Sequence, residues 1–141
     1  METQVKTIIS VQTNVKAPIE IVWKHWTSPN DILGWNHASA DWNTPKATND
    51  LRVGGTFNYR MEAKDGSIGF DFFGVYDVVI PPKQIEYTMG DGRKVTIVFN
   101  TDGNTTNIME TFEAETINSI EMQKGGWQAI LNNFKTYSET H

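Results

Sequence analysis

Three residues of the chain carry side chains suited to acid–base chemistry, and two of them lie close together in the sequence. His37 and Asp41 fall in the stretch GWNHASADW, residues 34–42. A carboxylate can orient an imidazole and keep it basic near neutral pH. The third residue is Glu110, which stands between Ile108 and Phe112 in an alternating segment. All three are candidates for proton transfer, although Asp41 is also explained as a turn former that hydrogen-bonds its own backbone.

The composition limits the kinds of site that the chain can build. It has no cysteine, so disulfides and thiolate metal sites are excluded. The other two histidines are His25, on a predicted helix, and His141, the last residue, and this separation does not favour a three-histidine metal site. The glycine pairs in RVGGTF and KGGW lack the spacing of phosphate-binding loops. We therefore expect neither a metal nor a cofactor.

Length and charge also narrow the partners and the location. A chain of 141 residues has the size of one domain. Its 12 basic and 17 acidic residues give a net charge of -5, and no basic run is present to bind a phosphate backbone. No segment has the apolar length of a signal peptide or a membrane-spanning helix. We expect a cytoplasmic protein that neither inserts into membranes nor binds nucleic acid.

Apolar periodicity predicts the elements that must position the candidate residues. Thr7–Val15 alternates as a strand, and APIEIVWKHW then predicts an amphipathic helix with Pro18 at its first position. A second short helix follows, with Ser28 as its cap and Gly34 at its end. Strand and turn signals over residues 51–114 predict a meander, which gives about seven strands in total if a short one precedes the first glycine pair.

The last predicted element is a helix from about Ser119 to Tyr137. Asn118 would cap it, with Glu121 three residues later as in a capping box. Gly125 and Gly126 lie inside the helix, where each glycine costs about 1 kcal/mol relative to alanine. The pair therefore favours a close approach or a kink at this point.

Several segments, taken in order, resemble the START-like superfamily, also called SRPBCC. Within it, the chain is similar to the group of the C-terminal domain of the activator of the heat-shock-protein-90 ATPase. The resemblance is carried by APIEIVWKHWTSP (17–29), Trp35 after a leucine and a glycine, DLRVGGTF (50–57), DGSIGFDFFGVYDVV (65–79), PPKQIEYT (81–88) and GGW (125–127).

This resemblance implies an α+β helix-grip fold. Such a fold has a curved antiparallel sheet of about six to seven strands around a long C-terminal helix, with two short helices after the first strand. It also implies a cavity between helix and sheet, which in many relatives holds an apolar ligand. It does not imply one activity, because relatives include lipid carriers, hormone receptors, cyclase subunits and co-chaperone domains.

In such a sheet each strand sends alternate residues toward the helix. Glu110 is the odd member of these sets, because a buried carboxyl requires a hydrogen-bond partner, cavity water or a raised pKa. The alternative is a bulge that turns Glu110 to solvent. The predicted inward sets are Phe57, Tyr59 and Met61; Ile85, Tyr87 and Met89; Val95, Ile97 and Phe99; and Ile108, Glu110 and Phe112.

One predicted strand is apolar on both faces, since Asp71 and Phe73 alternate with Phe70 and Phe72. Either a bulge redirects these side chains or the outer face of the sheet is covered. A bend in this long strand is expected at Gly74. An outer apolar patch would form a homodimer contact.

The loop at residues 34–42 is expected at the mouth of the cavity, where its two tryptophans would wall off a pocket. The alternative is that both indoles plug the end of a small core. The aromatic and methionine positions are likewise explained either as ligand walls or as core. The expected ligand-binding residues are Trp35, His37, Trp42, Tyr59, Phe72, Tyr87, Phe99, Glu110, Trp127 and Leu131.

Three functions follow. The favoured one is non-enzymatic binding of an apolar or amphipathic small molecule, a lipid or an aromatic metabolite, between helix and sheet. The second is an enzyme of the cyclase or hydrolase type that uses His37 with Asp41 or Glu110. The third is a chaperone-binding module like the named relatives. The lack of a second domain or an extended linker argues against this third function.

Overall fold

Antiparallel pairing joins seven strands into one curled sheet in the computed structural model, which describes residues 7–141. Two short helices follow the first strand and one long helix ends the chain, so the α+β helix-grip prediction is confirmed. The order across the sheet is β1-β7-β6-β5-β4-β3-β2. The elements are β1 (Ile8–Val15), α1 (Ile19–Thr27), α2 (Pro29–Trp35), β2 (Trp42–Asn49), β3 (Thr56–Ala63), β4 (Gly69–Ile80), β5 (Gln84–Met89), β6 (Lys94–Asp102), β7 (Thr105–Glu113) and α3 (Ile120–Thr140).

Alternation correctly predicts the concave face of the sheet. Every residue of the four predicted inward sets is buried, including Glu110, of which 7% is exposed. The alternative that turns Glu110 to solvent is therefore wrong. In the strand register Glu110 lies opposite Val11 on β1 and Ile97 on β6, so its two neighbours across the strands are apolar.

Strand β2 is longer than the sequence predicts. It begins at Trp42 and runs for eight residues along one edge of the sheet. Its polar residues and Pro45 give it no apolar alternation by which the sequence could reveal a strand. Its pairing with β3 is irregular between Asn43 and Lys46. An edge strand tolerates proline because one of its sides needs no ladder hydrogen bonds.

Three helix ends differ from the predictions by one residue each, and α3 runs to Thr140, three residues beyond its predicted end. Pro18 caps α1 instead of occupying its first turn, and α2 continues through Gly34 to Trp35. Gly34 is needed for packing, since a Cβ there would lie 2.5 Å from the ring of Tyr137. Ser119, not Asn118, caps α3, because its Oγ accepts a hydrogen bond from the Met122 N–H at 3.1 Å.

The glycine pair inside α3 does not serve a close approach. Added Cβ atoms at Gly125 and Gly126 would meet no atom within 4 Å, and the helix is continuous on both sides of the pair. On the N-terminal side, the Gln123 side chain donates hydrogen bonds to the carbonyls of Glu115 and Asn118 at 3.1 and 2.9 Å. The start of α3 is thus tied to the preceding loop.

The C-terminal half of α3 is held by the two short helices. Nδ1 of His25 and Oγ of Ser138 are hydrogen-bonded at 2.8 Å, and the Tyr137 hydroxyl donates to Asp31 Oδ1 at 2.6 Å. The Asn133 amide donates to the Trp35 carbonyl at 2.9 Å. Along the sheet α3 packs mainly on β1. The helix therefore lies toward one edge of the concave face.

On the outer face, β4 exposes Phe73 and Val75, which supports the prediction of apolar residues on both faces. The irregularity lies between Tyr76 and Val78, where the pairing with β5 shifts, and not at Gly74. A Cβ at Gly74 would lie 2.6 Å from the Thr88 carbonyl oxygen, so the glycine allows close packing. No helix within residues 7–141 is long and apolar enough to cross a bilayer.

The contrast between two glycines gives a stability test. Gly125→Ala should raise the free energy of unfolding by about 1 kcal/mol, because alanine favours helix and the added methyl meets no atom. Gly74→Ala should lower it by about 1–3 kcal/mol, since the methyl overlaps neighbouring atoms. Urea denaturation measures both changes. Effects of the same sign would contradict this assignment.

Candidate functional site

A cavity of about 260 Å³ lies between α3 and the concave face of the sheet, and it is partly open to solvent. Six of the ten residues expected to bind a ligand line it: Trp35, Tyr59, Phe72, Tyr87, Glu110 and Trp127. Ten further residues complete the wall: Trp26, Asn36, Phe57, Met61, Phe70, Tyr76, Ile85, Arg93, Ile97 and Ile130.

Trp127 closes the cavity on the α3 side. Its ring stacks on Phe112 of β7 with centroids 3.9 Å apart and planes 13° from parallel. Its other contact is an edge-on approach to Phe72 of β4, at 6.1 Å. One indole thus reaches from β7 toward β4, and such aromatic contacts stabilise the wall by about 0.5–1.5 kcal/mol beyond the area that they bury.

Four of the expected ligand-binding residues do not line the cavity. Leu131 and Phe99 are fully buried core residues, and Phe99 packs edge-on against Trp23 and Trp26. Trp42 contacts Phe70 at 6.0 Å between ring centroids, from outside the wall. The fourth is His37, which lies in the loop that follows α2. Its ring contacts Asn133 of α3.

The structure does not bring His37 and Asp41 together. The Asn133 amide lies 3.0 Å from His37 Nε2, whereas His37 Nδ1 is buried and has no hydrogen-bond partner among residues 7–141. Burial, and secondarily the charge of Lys64, lowers the pKa of His37. Asp41 is exposed, and no hydrogen bond or ion pair joins it to His37. The geometry therefore provides no His37–Asp41 acid–base pair.

Glu110 faces the cavity without a partner. No hydrogen bond or ion pair to its carboxyl is made within the described residues, and burial raises its pKa to about 8. Desolvation penalises the ionised form, and no cation compensates for it. Near neutral pH most molecules therefore carry a protonated Glu110, which can donate a hydrogen bond into the cavity.

Three tyrosines of the cavity wall, Tyr59, Tyr76 and Tyr87, carry hydroxyl groups. Burial, followed by the nearby Glu110, raises the pKa of Tyr87 well above its usual value. Burial also raises the pKa of Tyr59, with a contribution from the Tyr76 hydroxyl, and raises the pKa of Tyr76 to about 12. The Tyr76 hydroxyl donates to Asn49. All three phenols are neutral donors over the physiological pH range.

Arg93 is a lining residue that the sequence analysis missed. Its Nε donates to Asp91 Oδ2 at 2.8 Å and one terminal nitrogen donates to the Glu113 carbonyl at 3.1 Å. The guanidinium is thus already paired at the edge of the cavity. Its place in a GDGR turn suggested only a hairpin, so no sequence signal marked it as part of the wall.

A curled antiparallel sheet that grips a C-terminal helix over an apolar cavity defines the START-like, or SRPBCC, class of proteins. The sequence profile of the family described as activator of Hsp90 ATPase homolog 1-like protein matches residues 16–139. The chain belongs to this family, as its resemblance to the superfamily implies.

Solved structures agree with this assignment. The AHSA1-like protein from Aeromonas hydrophila is 44% identical, with a TM-score of 0.90, over 95% of this chain and 93% of that one. Chr148 from Cytophaga hutchinsonii is 56% identical, with a TM-score of 0.82, over 94% and 92%. NE0264 from Nitrosomonas europaea has a TM-score of 0.82 over 94% of each chain, but at 18% identity it supports the fold alone. A comparison with curated proteins found no match.

The pKa of Glu110 predicts how stability depends on pH. Its folded-state value of about 8 lies above the ordinary value of 4.5, so the folded protein binds this proton more tightly than the unfolded chain does. Stability from this group is therefore lost as pH rises from about 4.5 to about 8. Glu110→Gln removes the titration, and its stability relative to wild type should rise over this range by on the order of 3 kcal/mol.

Urea denaturation of both proteins at several pH values between 5 and 8 measures this difference. All other groups titrate in both proteins, so the difference isolates Glu110. A stability difference that does not change with pH would show that Glu110 ionises at an ordinary pKa.

Proposed function

We propose that the chain binds a compact apolar or amphipathic molecule in the cavity between α3 and the sheet. The observation that carries this proposal is a partly open, largely aromatic cavity that contains a buried carboxyl without a partner among residues 7–141. A filled core would leave no such space. A carboxyl in an apolar wall is costly unless it finds a hydrogen-bond partner, and a ligand that accepts a hydrogen bond from Glu110 would provide one.

The size of the cavity favours one class of ligand. At about 260 Å³ it lies at or below the lower end of ordinary ligand sites, which span about 300–1,000 Å³. A molecule with one or two rings fits this volume, whereas a long acyl chain does not. The aromatic rings of Phe57, Phe72 and Trp127 offer edges and faces for aromatic contacts. We therefore favour aromatic metabolites over lipids.

The six predicted residues that line the cavity would then act in two ways. Trp35, Tyr59, Phe72 and Trp127 would pack against the ring system of the ligand, and Glu110 with Tyr87 would hold its polar atom. The same two groups, Glu110 and Tyr87, favour a ligand without charge. A protonated carboxyl and a neutral phenol bind a carbonyl or hydroxyl oxygen well, and they offer no counter-ion to an anion or a cation.

Filling the cavity should abolish binding. Ile130→Trp places a larger side chain at a lining position of α3, and Thr136→Trp makes the same change at an exposed position of the same helix. We expect single-ring and two-ring carbonyl compounds and phenols to quench the fluorescence of Trp26, Trp35 and Trp127 in wild type and in Thr136→Trp.

Ile130→Trp should weaken this binding by tenfold or more while its circular dichroism stays that of the wild type. The same quenching curve in both variants would place the ligand elsewhere. If no compound of either class binds the wild type, the binding proposal is wrong. Native mass spectrometry provides a second readout that does not depend on fluorescence.

A further inference from the structure

Glu110 has an environment that a simple hydrogen-bonding anchor does not need. The residue is buried, with 7% of it exposed, yet it borders a cavity that opens to solvent. A serine or an asparagine would supply a hydrogen bond at this place at a smaller desolvation cost. A carboxyl adds the ability to release and take up a proton.

The groups around Glu110 leave that proton available. Neighbouring strands present Val11 and Ile97 in register with it, and α3 contributes Trp127 and Ile130 to the same cavity. None of these four side chains titrates.

The polar groups near Glu110 come from the remaining walls. Tyr87 of β5 interacts electrostatically with it, and Tyr59 and Tyr76 line the same cavity. Arg93 is the cationic residue among those that line the cavity, and it is paired with Asp91 and with the Glu113 carbonyl. No described cation therefore neutralises an ionised Glu110.

We infer that the cavity is a proton-transfer site, in which the Glu110 carboxylate exchanges a proton with a carbon next to the carbonyl of a bound aromatic ketone, and the Tyr87 hydroxyl stabilises the carbonyl oxygen. This inference rests on the proposed binding function, because the ketone must occupy the cavity. It assigns Glu110 the role of a catalytic residue, beyond that of an anchor.

The step balances without a further reactant. A carboxylate oxygen of Glu110 takes the proton from the α-carbon, and the electron pair of the C–H bond forms the C=C bond of an enolate. The carbonyl π pair moves to its oxygen, which accepts a hydrogen bond from the neutral Tyr87 phenol. Return of a proton from Glu110 to carbon regenerates the ketone and the carboxylate.

A desolvated carboxylate is a stronger base than an exposed one. The raised pKa of Glu110, about 8, means that its ionised form holds a proton more tightly than an ordinary glutamate does, and catalytic bases work best with a pKa near the operating pH. His37 and Asp41 are not required in this scheme.

Deuterium incorporation tests the inference. We choose β-tetralone, a two-ring ketone with acidic α-hydrogens, and measure its mass increase in D₂O with and without the protein. Wild type should accelerate exchange by about 100-fold or more over buffer, with saturation in ketone. The rate should rise with pD as Glu110 ionises, and it should level off above the pKa of this group.

Two variants isolate the carboxyl. Glu110→Gln should bind β-tetralone, as measured by tryptophan quenching, and should exchange it at the buffer rate. Glu86→Gln makes the same substitution on the outer face of β5, away from the cavity, and should keep the wild-type rate. A Tyr87→Phe variant should lose about tenfold if its hydroxyl stabilises the enolate.

Each outcome separates this inference from the binding proposal. If wild type binds β-tetralone but exchanges it no faster than Glu110→Gln does, the proton-transfer role is wrong and the binding function stands. If β-tetralone does not bind although phenols or other carbonyl compounds do, the ketone class is wrong and the inference fails alone. If no compound binds, both fail.

Discussion

One helix must cover the concave face of a seven-stranded sheet, and it is too narrow to do so. Neighbouring strands lie about 4.8 Å apart, so seven of them extend for about 29 Å along the sheet, whereas a helix is about 10–12 Å wide with its side chains. Here α3 packs mainly on β1 and is held there by α1 and α2. Strand curvature and large aromatic side chains reduce the remaining gap but do not close it. The cavity therefore results from the difference in width between the sheet and the helix.

Because the gap lies over the middle of the sheet, the residues that face it are those that would otherwise form core. Most are apolar, as a core requires, and Glu110 is the exception. Its burial lowers stability at neutral and higher pH, so the chain retains a residue that folding alone does not favour. Residues of this kind are commonly found at functional sites, where a shifted pKa is useful. The phenols of Tyr59 and Tyr87 share the same space, and desolvation also raises their pKa values.

The strand faces could be predicted because the two-residue period of a strand does not depend on distant contacts. This period places Glu110 among the inward-facing residues, with a bulge as the alternative, and the residue is buried. The direct partner of His37 could not be predicted for the opposite reason, because only tertiary packing brings its ring to the Asn133 amide. The length of β2 exceeds the prediction, because its pairing with β3 compensates for a polar sequence that contains Pro45. The place of Arg93 in the cavity wall depends on how the β5–β6 turn folds back, which local sequence does not encode.

Gly125 and Gly126 separate two parts of α3 that are anchored to different elements. Before them, Gln123 ties the first turn to the loop at residues 115–118, and after them Trp127 is stacked on Phe112. Both glycines lie within one unbroken helix, and added Cβ atoms there would meet no neighbouring atom. Glycine disfavours the helix relative to alanine, so intrinsic propensity supports this short stretch of α3 less than the stretches on either side. The helix therefore keeps its course here because both of its flanks are fixed to other elements.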